Sequence, residues 1–422
     1  MRILIYGINF SPELTGVGKF TGELAEWLTG RGHEVRVICA PPYYPRWKIQ
    51  DGYRAWRYKV ERHEGMKIYR CPLYVPALPT GTKRLIHLFS FALSSLPVLF
   101  QWAIFWRPNL IWVVEPTFLC APAAWVASRL SGAKAWLHIQ DFEAATAFQL
   151  KLLPQGFIRT FYEWFEPKLM RRFDRVSTIS EAMLGRLLNR GMRPDRTGIL
   201  PNWVDTQFIY PLPEPSSFRK TLNLSDSQIV VLYAGAMGQK QGLEILGQTA
   251  THLSGHPHIQ FVFCGEGAMR PQLQAMTRDL PNVRFLPLQP LHKLNHLLNL
   301  ADIHLVMENP RTSDLVMPSK LTGILASGRP VIAVASHQGE LARVLQTCGQ
   351  TLLPSDSRTL AAAILELTEN SSKRAQMARW SRDYALGHMC KQAILTNFEK
   401  TLEQMHLSLN RKELVDSRAP AP

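Results

Sequence analysis

Short runs of β-branched and aliphatic residues alternate with longer segments whose apolar positions recur every three or four residues. Runs of this kind, bounded by turn residues, read as strands buried on both faces, and the segments between them as covering helices. In the first half the strands fall at RILIYGI, EVRVICA, LIWVV, AWLHI and RVSTIS. After Asn202 the pattern lapses, with Pro211, Pro213 and Pro215 in close succession. A second series follows: IVVLYAG, IQFVFCG, VRFLPL, DIHLVM and PVIAVA. The alternation predicts an α/β protein of parallel sheets, two doubly wound Rossmann-like domains joined near 205–225. Ligands of such sheets bind beyond the carboxyl ends of the strands, so a cleft between facing strand ends is expected. The expected domains are 1–205 and 206–385. A C-terminal helix over 386–408 returns to the first domain, and 409–422 forms a mobile tail with too little apolar surface to fold.

Two segments depart from this rhythm. LIHLFSFALSSLPVLFQWAIFW (Leu85–Trp106) is apolar for long enough to span a bilayer, with Lys83 and Arg84 before it and Arg107 after. Pro97, Gln101, His87 and its serines favour a helix packed within the domain or touching a membrane interface over a true span. GFIRTFYEWFEPKLMRRF (Gly156–Phe173) mixes aromatic rings with the basic end Lys168, Arg171 and Arg172. That suits a helix lying on an anionic leaflet, and equally a core helix with a solvated basic end.

Composition narrows the class. A chain of 422 residues exceeds one ordinary core. An apolar fraction of 46% and a mean hydropathy of −0.09 belong to a globular protein and argue against a multi-span membrane protein. Cysteines 39, 71, 120, 264, 348 and 390 lie far apart, which gives neither a zinc site nor a disulfide framework and fits a reducing cytosol. The N-terminus enters a strand with no signal-peptide pattern. The net charge of +15 is uneven: residues 1–205 hold 27 Lys and Arg against 16 Asp and Glu. A basic first half suits nucleic acid, acidic lipid or a phosphorylated substrate. No DNA- or RNA-binding motif accompanies it, so nucleic acid is not an expected partner.

The candidate chemistry sits at strand-to-helix turns. In TGVGKF (Thr15–Phe20), Gly16 and Gly18 let the chain turn sharply and a ligand approach. The loop is not GxGxxG, and no acid ends the second strand, so a dinucleotide site is disfavoured. YAGAMGQKQGLEIL places Gly235 and Lys240 before a helix, and FCGEGAMRPQL repeats the device at Gly265, Glu266 and Gly267. LVMPSKLTGILASGRPVIA offers a third, where Met317, Pro318, Ser319 and Lys320 enter an apolar helix. Free backbone N–H groups and a cation meet at each, as a diphosphate requires.

Taken together these motifs resemble the retaining glycosyltransferases of the GT-B fold, of the glycosyltransferase 4 type. TGVGKF, TISEAM, LPNWVDTQF, YAGAMGQKQGLE, FVFCGEG, LADIHLV and PSKLTGILASGRPVIA occur in the family's order across nearly the whole chain. HIQDFE and MPSK make it most similar to bacterial colanic acid and exopolysaccharide biosynthesis glycosyltransferases. The resemblance implies a sugar nucleotide, a GDP- or UDP-sugar, bound mainly by the second domain. The acceptor, a polyprenyl-diphosphate-linked saccharide, would bind mainly to the first. It implies that Gly16 and Gly18 face the donor phosphates or the acceptor, and that Lys240, Met317, Pro318, Ser319 and Lys320 hold the diphosphate. Gly265 and Glu266 would lie near the base. His138 and Asp141 would face the donor sugar as catalytic or positioning groups, although a satisfied strand-end histidine is an open alternative for His138.

The chain also departs from the family. Many relatives carry two glutamates seven residues apart where this chain has Leu315 and Gly323; Asp314 or Thr322 could substitute. Ala236 replaces a usual arginine, and Ala145 stands where an acid is common. No Asp-x-Asp triplet is present, so no cofactor and a metal-independent reaction are expected, with cations stabilising the leaving diphosphate. No protein nucleophile is assigned. Peripheral attachment to the inner face of the cell membrane from the cytoplasm is the expected location. A sugar-nucleotide epimerase of similar fold, acting without an acceptor, is the alternative.

Overall fold

The computed structural model describes residues 1–14, 16–77, 81–116, 118–149, 156–238, 241–308, 317–353 and 356–416, with side chains through Met405. The chain divides into two compact units, Met1–Pro201 with Gln392–Pro422, and Asn202–Lys391.

The first unit holds eight strands: β1 (Arg2–Tyr6), β2 (Glu34–Cys39), β3 (Lys59–His63), β4 (Met66–Arg70), β5 (Leu110–Glu115), β6 (Lys134–Ile139), β7 (Arg175–Thr178) and β8 (Thr197–Ile199). Their order is β3-β4-β2-β1-β5-β6-β7-β8. All neighbours are parallel except the β3–β4 hairpin. The five strands read from apolar runs are present. The hairpin and β8 were not anticipated, because KVERH has a single apolar residue and TGI is only three residues long. Edge strands need no continuous apolar run, since one side of each faces water. Every residue of β5 is buried, as the doubly covered centre of such a sheet demands.

The second unit holds β9 (Ile229–Ala234), β10 (Ile259–Cys264), β11 (Val283–Leu286), β12 (Ile303–Met307), β13 (Val331–Val334) and β14 (Gln350–Leu352). The order is β11-β10-β9-β12-β13-β14, all parallel. Tyr233, Phe261, Phe263, Leu305 and Ile364 centre a fully buried core on one face of this sheet. Only the short edge strand β14 escaped the sequence reading. Both units are thus doubly wound α/β sheets.

The long apolar segment forms a helix, Gly81–Gln101, that continues as a π-helical turn to Trp106. By length and composition it could cross a membrane, but one side of it is built into the first unit. Ser95 Oγ and Tyr6 Oη lie 2.6 Å apart, and Trp106 Nε1 donates to Glu34 at 2.7 Å. These contacts tie it to strand β1 and the start of β2, which excludes a span. At the C-terminus Lys391–Asp416 is one helix. It runs past residue 408, where the mobile tail was expected, because Arg411–Glu413 and Leu414 are good helix formers that extend an existing helix cheaply. Residues 417–422 lie outside the described residues.

Candidate active site

A doubly wound sheet opens a crevice where strand order reverses, at the carboxyl ends of two adjacent strands that lead in opposite directions. In the second unit these strands are β9 and β12. Beyond β9 the chain turns at Gly235, whose N–H donates to the Cys264 carbonyl at 2.9 Å. The neighbouring turn, Gly265–Gly267, packs directly onto it. A Cβ at Gly265 would stand 1.9 Å from the Gly235 carbonyl oxygen, and Gly265 has φ +149. Only glycine allows these two turns to nest.

Lys320 comes into this crevice from the start of the helix Lys320–Ala326. Its ammonium stands 3.9 Å over the Tyr233 ring, and a Cβ at Gly235 would lie 3.3 Å from it. The stem is half-buried, while Nζ is out of water and makes no hydrogen bond among the described residues. Burial alone pushes its pKa down to about 7. A desolvated cation over an aromatic face, at a strand end, is chemistry awaiting an anion.

Met317, Pro318 and Ser319 are half-buried and precede Lys320, so the structure brings this segment and Gly235 together. Ser319 makes no side-chain cap, and Leu321 N–H is satisfied by the Pro318 carbonyl at 3.0 Å. Glu266 is ion-paired with Arg270 at 3.2 Å, and Arg270 also binds the Leu286 carbonyl at 3.0 Å. Lys240 and Asp314 lie outside the described residues, as does Leu315. Thr322 is buried, and its hydroxyl donates back to the Ser319 carbonyl at 3.1 Å. A Cβ at Gly323 would already lie 3.1 Å from Leu298 Cδ1. Any side chain there would need the Leu298 methyl to shift by a few tenths of an ångström. Sequence reasoning missed Glu308, buried directly after β12, whose N–H donates to the Val334 carbonyl at 3.0 Å. An acid follows the apolar run of β12 in the sequence, but its place one strand over from Gly235 follows only from sheet order.

In the first unit order reverses between β1 and β5. The loop after β1 is pinned by Glu13, which is buried. Its Oε1 accepts the N–H groups of Tyr43 and Tyr44 at 3.0 Å each, and Oε2 accepts Asn9 Nδ2 at 2.9 Å. Burial outweighs these bonds and raises its pKa to about 7. Gly18 sits against this carboxyl: a Cβ would lie 2.6 Å from Glu13 Oε2. Gly16, at φ +64, opens the helix Val17–Gly30. Arg70 is buried beside them and binds Glu61 at 2.9 Å, the Ala40 carbonyl at 3.1 Å and the Ser11 carbonyl at 2.5 Å. It ties the loops after β1 and β2 to one point.

Across the reversal, β5 ends in Glu115. Burial first, then Glu143 and Asp141, hold its carboxyl well above the usual range. Glu143 is ion-paired with Arg84. Asp141, half-buried in the turn after β6, lies near enough to Glu115 to add to this shift. His138 is not in this group. It has no exposed surface, stacks on Trp112 with ring centres 5.3 Å apart, and binds Ser177 Oγ at 2.8 Å and Gln140 Nε2 at 3.1 Å. Burial lowers its pKa to about 3. It is a neutral core histidine with both ring nitrogens engaged, and it cannot face a donor sugar.

Comparison with known proteins agrees with both halves. The family described as glycosyl transferase 4-like domain matches residues 15–203, and the one described as glycosyl transferases group 1 matches 228–370. The chain is 42% identical over 356 residues to WcaI of Escherichia coli K12, whose name assigns it as a colanic acid biosynthesis glycosyl transferase. That match covers 82% of this chain and 86% of the relative. Among solved structures, sucrose-phosphate synthase from Thermosynechococcus elongatus superposes with a TM-score of 0.78 at 16% identity, covering 97% of this chain and all of the other. Anabaena HepE in complex with UDP and glucose gives 0.70 at 16% identity, covering 96% and 100%. At such identities the likeness is one of fold.

Proposed function

The chain belongs to the glycosyltransferases that join a glycosyl transferase 4-like domain to a group 1 domain, a GT-B architecture, and from that premise we propose the following reaction. It moves a sugar, with retention, from a nucleoside diphosphate sugar to a lipid-linked saccharide in assembly of a colanic-acid-like exopolysaccharide. The observation that carries the reading is Lys320, whose desolvated ammonium stands at Gly235 where strand order reverses. The pathway comes from the likeness to WcaI. A nucleotide sugar donor is supported by HepE, which binds UDP with glucose on this fold.

In this reaction the bond from the anomeric carbon to the diphosphate oxygen breaks, and the oxygen takes the electron pair. Lys320 stabilises that charge, with Lys240 as a second cation, so no metal is required. The acceptor hydroxyl attacks the same face of the sugar, and its proton passes to the departing phosphate oxygen. Asp141 orients the hydroxyls of the reacting sugar, and Glu308 takes the ribose or sugar contact that glutamates supply in relatives. The protein works in the cytoplasm at the inner membrane face, where a polyprenyl-diphosphate acceptor resides.

The test is thermal-shift binding of UDP, GDP, dTDP and ADP, each with Mg²⁺ and with EDTA. One diphosphate should raise the melting temperature equally under both conditions. Silence with all four would remove the donor site. Turnover undiminished in Asp141→Asn would remove Asp141 from the reaction.

A further inference from the structure

The first unit leaves an unusual amount of apolar surface in water. Half of the large apolar side chains that stand exposed among the described residues lie between Leu85 and Trp164. They are not scattered. On the helix Gly81–Gln101, Ile86, Phe89 and Leu93 are exposed at the three- and four-residue spacing of one stripe, and Ile104 and Phe105 are exposed on its π-helical end. The opposite stripe, with Phe91, Ser95, Val98 and Trp102, is the one locked into the unit. The helix Phe157–Met170 likewise exposes Phe157, Ile158, Phe161 and Trp164. Between them lies the helix Ala121–Ser131, exposing Val126 and Leu130. It packs beside the π-helical turn on one flank. On the other, Arg172 lies 5.5 Å over the Trp125 ring. Phe118, just before it, meets Tyr162 and Phe165 with ring centres 5.8 and 6.2 Å apart. The three helices therefore share one side of the unit.

Charge on this side has one sign. Arg129, Arg159, Lys168, Arg171 and Arg172 are exposed, as are Lys83 and Arg107 at the ends of the first helix. Among the described residues from 81 to 172 the one exposed acid is Glu163, paired with Arg159 at 2.8 Å. Glu115, Glu143 and Glu166 are all buried. Lys168 lies 3.6 Å over the face of Trp164, so ring and ammonium are presented as a pair.

We infer that this three-helix face is the docking surface for an anionic lipid bilayer, with Phe105, Phe157 and Trp164 entering the headgroup–acyl boundary and the cations meeting lipid phosphates. Rings 81, 84 and 56% exposed have no other reason to stand in water. A second copy of the chain, the other candidate, would bring seven cations against seven and gain no charge complement. Aromatic residues with a basic rim and almost no acid are what an interfacial surface requires. The inference rests on the reading of a lipid-linked acceptor but is separable from it. Inserting the rings makes attachment peripheral, held by shallow apolar burial and by charge together.

The test is flotation of the full chain with vesicles of phosphatidylglycerol and phosphatidylethanolamine, against vesicles of phosphatidylcholine alone. The protein should float with the anionic vesicles and be largely released by high salt. A triple variant Phe105→Ser, Phe157→Ser, Trp164→Ser should lose at least about tenfold in partitioning on removal of that apolar area. The pair Lys168→Glu, Arg172→Glu should lose binding to anionic vesicles only. These side chains are exposed, so the melting temperature and nucleoside diphosphate binding should not change. Wild-type flotation of the triple variant would overturn the inference, as would no flotation of the wild type. Concentration-dependent self-association removed by the triple variant, with no vesicle binding, would assign the face to a second copy. Flotation without any nucleotide binding would leave the docking face standing and sink the transferase reading instead.

Discussion

At the scale of single residues, Lys320 is a buried cation whose protonation is tied to both folding and ligand binding. Lys320 has a pKa lowered to about 7 by burial, so the folded chain binds fewer protons than the unfolded one between about pH 7 and the ordinary lysine range. Its contribution to stability therefore rises with pH through that window, and Lys320→Met should flatten the rise in urea midpoints. The same group links donor binding to protons. A diphosphate favours the ammonium, so affinity should fall by up to about tenfold per pH unit above 7. Isothermal calorimetry in buffers of different ionisation enthalpy should then show proton uptake in the wild type and none in Lys320→Met. Gly265 makes the complementary case. Gly265→Ala forces a Cβ onto the Gly235 carbonyl and should cost at least about 2 kcal/mol in chemical denaturation. His138 shows how residue type misleads: a histidine ending a strand has the same letters whether it faces a ligand or, as here, a tryptophan and a serine.

At the scale of elements, the loop between β1 and the helix Val17–Gly30 is a positioned object. Glu13 holds it to the backbone of Tyr43 and Tyr44 and forbids any side chain at Gly18. The raised pKa of Glu13 means that its protonated form is the one favoured by folding. The associated stability is fully present below the ordinary glutamate range and is lost as pH rises through about 7, on the order of 3 kcal/mol in all. Glu13→Gln should remove most of that slope between pH 5 and 8 in urea unfolding while keeping the two backbone bonds. An unchanged slope would place the titration elsewhere. Glu13 lies in that loop and Glu115 and Glu308 at the ends of β5 and β12, and all three escaped sequence reading. Polar residues carry no periodic signal, so an acid at a strand end is invisible until sheet order shows which strands adjoin. The same holds for β3, which is mostly exposed.

At the scale of the whole molecule, the chain leaves the first unit at Pro201 and re-enters it at Gln392. The terminal helix is thereby part of the first unit's core. Phe398 is buried against Trp136 and Trp112, with ring centres 5.0 and 6.2 Å apart. Phe398→Ala should destabilise that unit by about 3–5 kcal/mol, seen as an earlier-melting transition in calorimetry, with the transition of Asn202–Lys391 unmoved.

The sequence by itself determined the fold class, the two sheets and the ten strands with continuous apolar runs, because burial on both faces of a parallel strand is written in consecutive letters. It also located the Gly235, Gly265 and Lys320 turns, since tight turns and a cation at a strand end are local features. Tertiary structure alone decided which of these meet. Strand order placed Lys320 at Gly235 and Glu115 near Asp141, folded His138 into the core, and turned one stripe of the long apolar helix inward and the other out. Those outcomes depend on contacts between residues tens to hundreds of positions apart, and no local pattern encodes their direction.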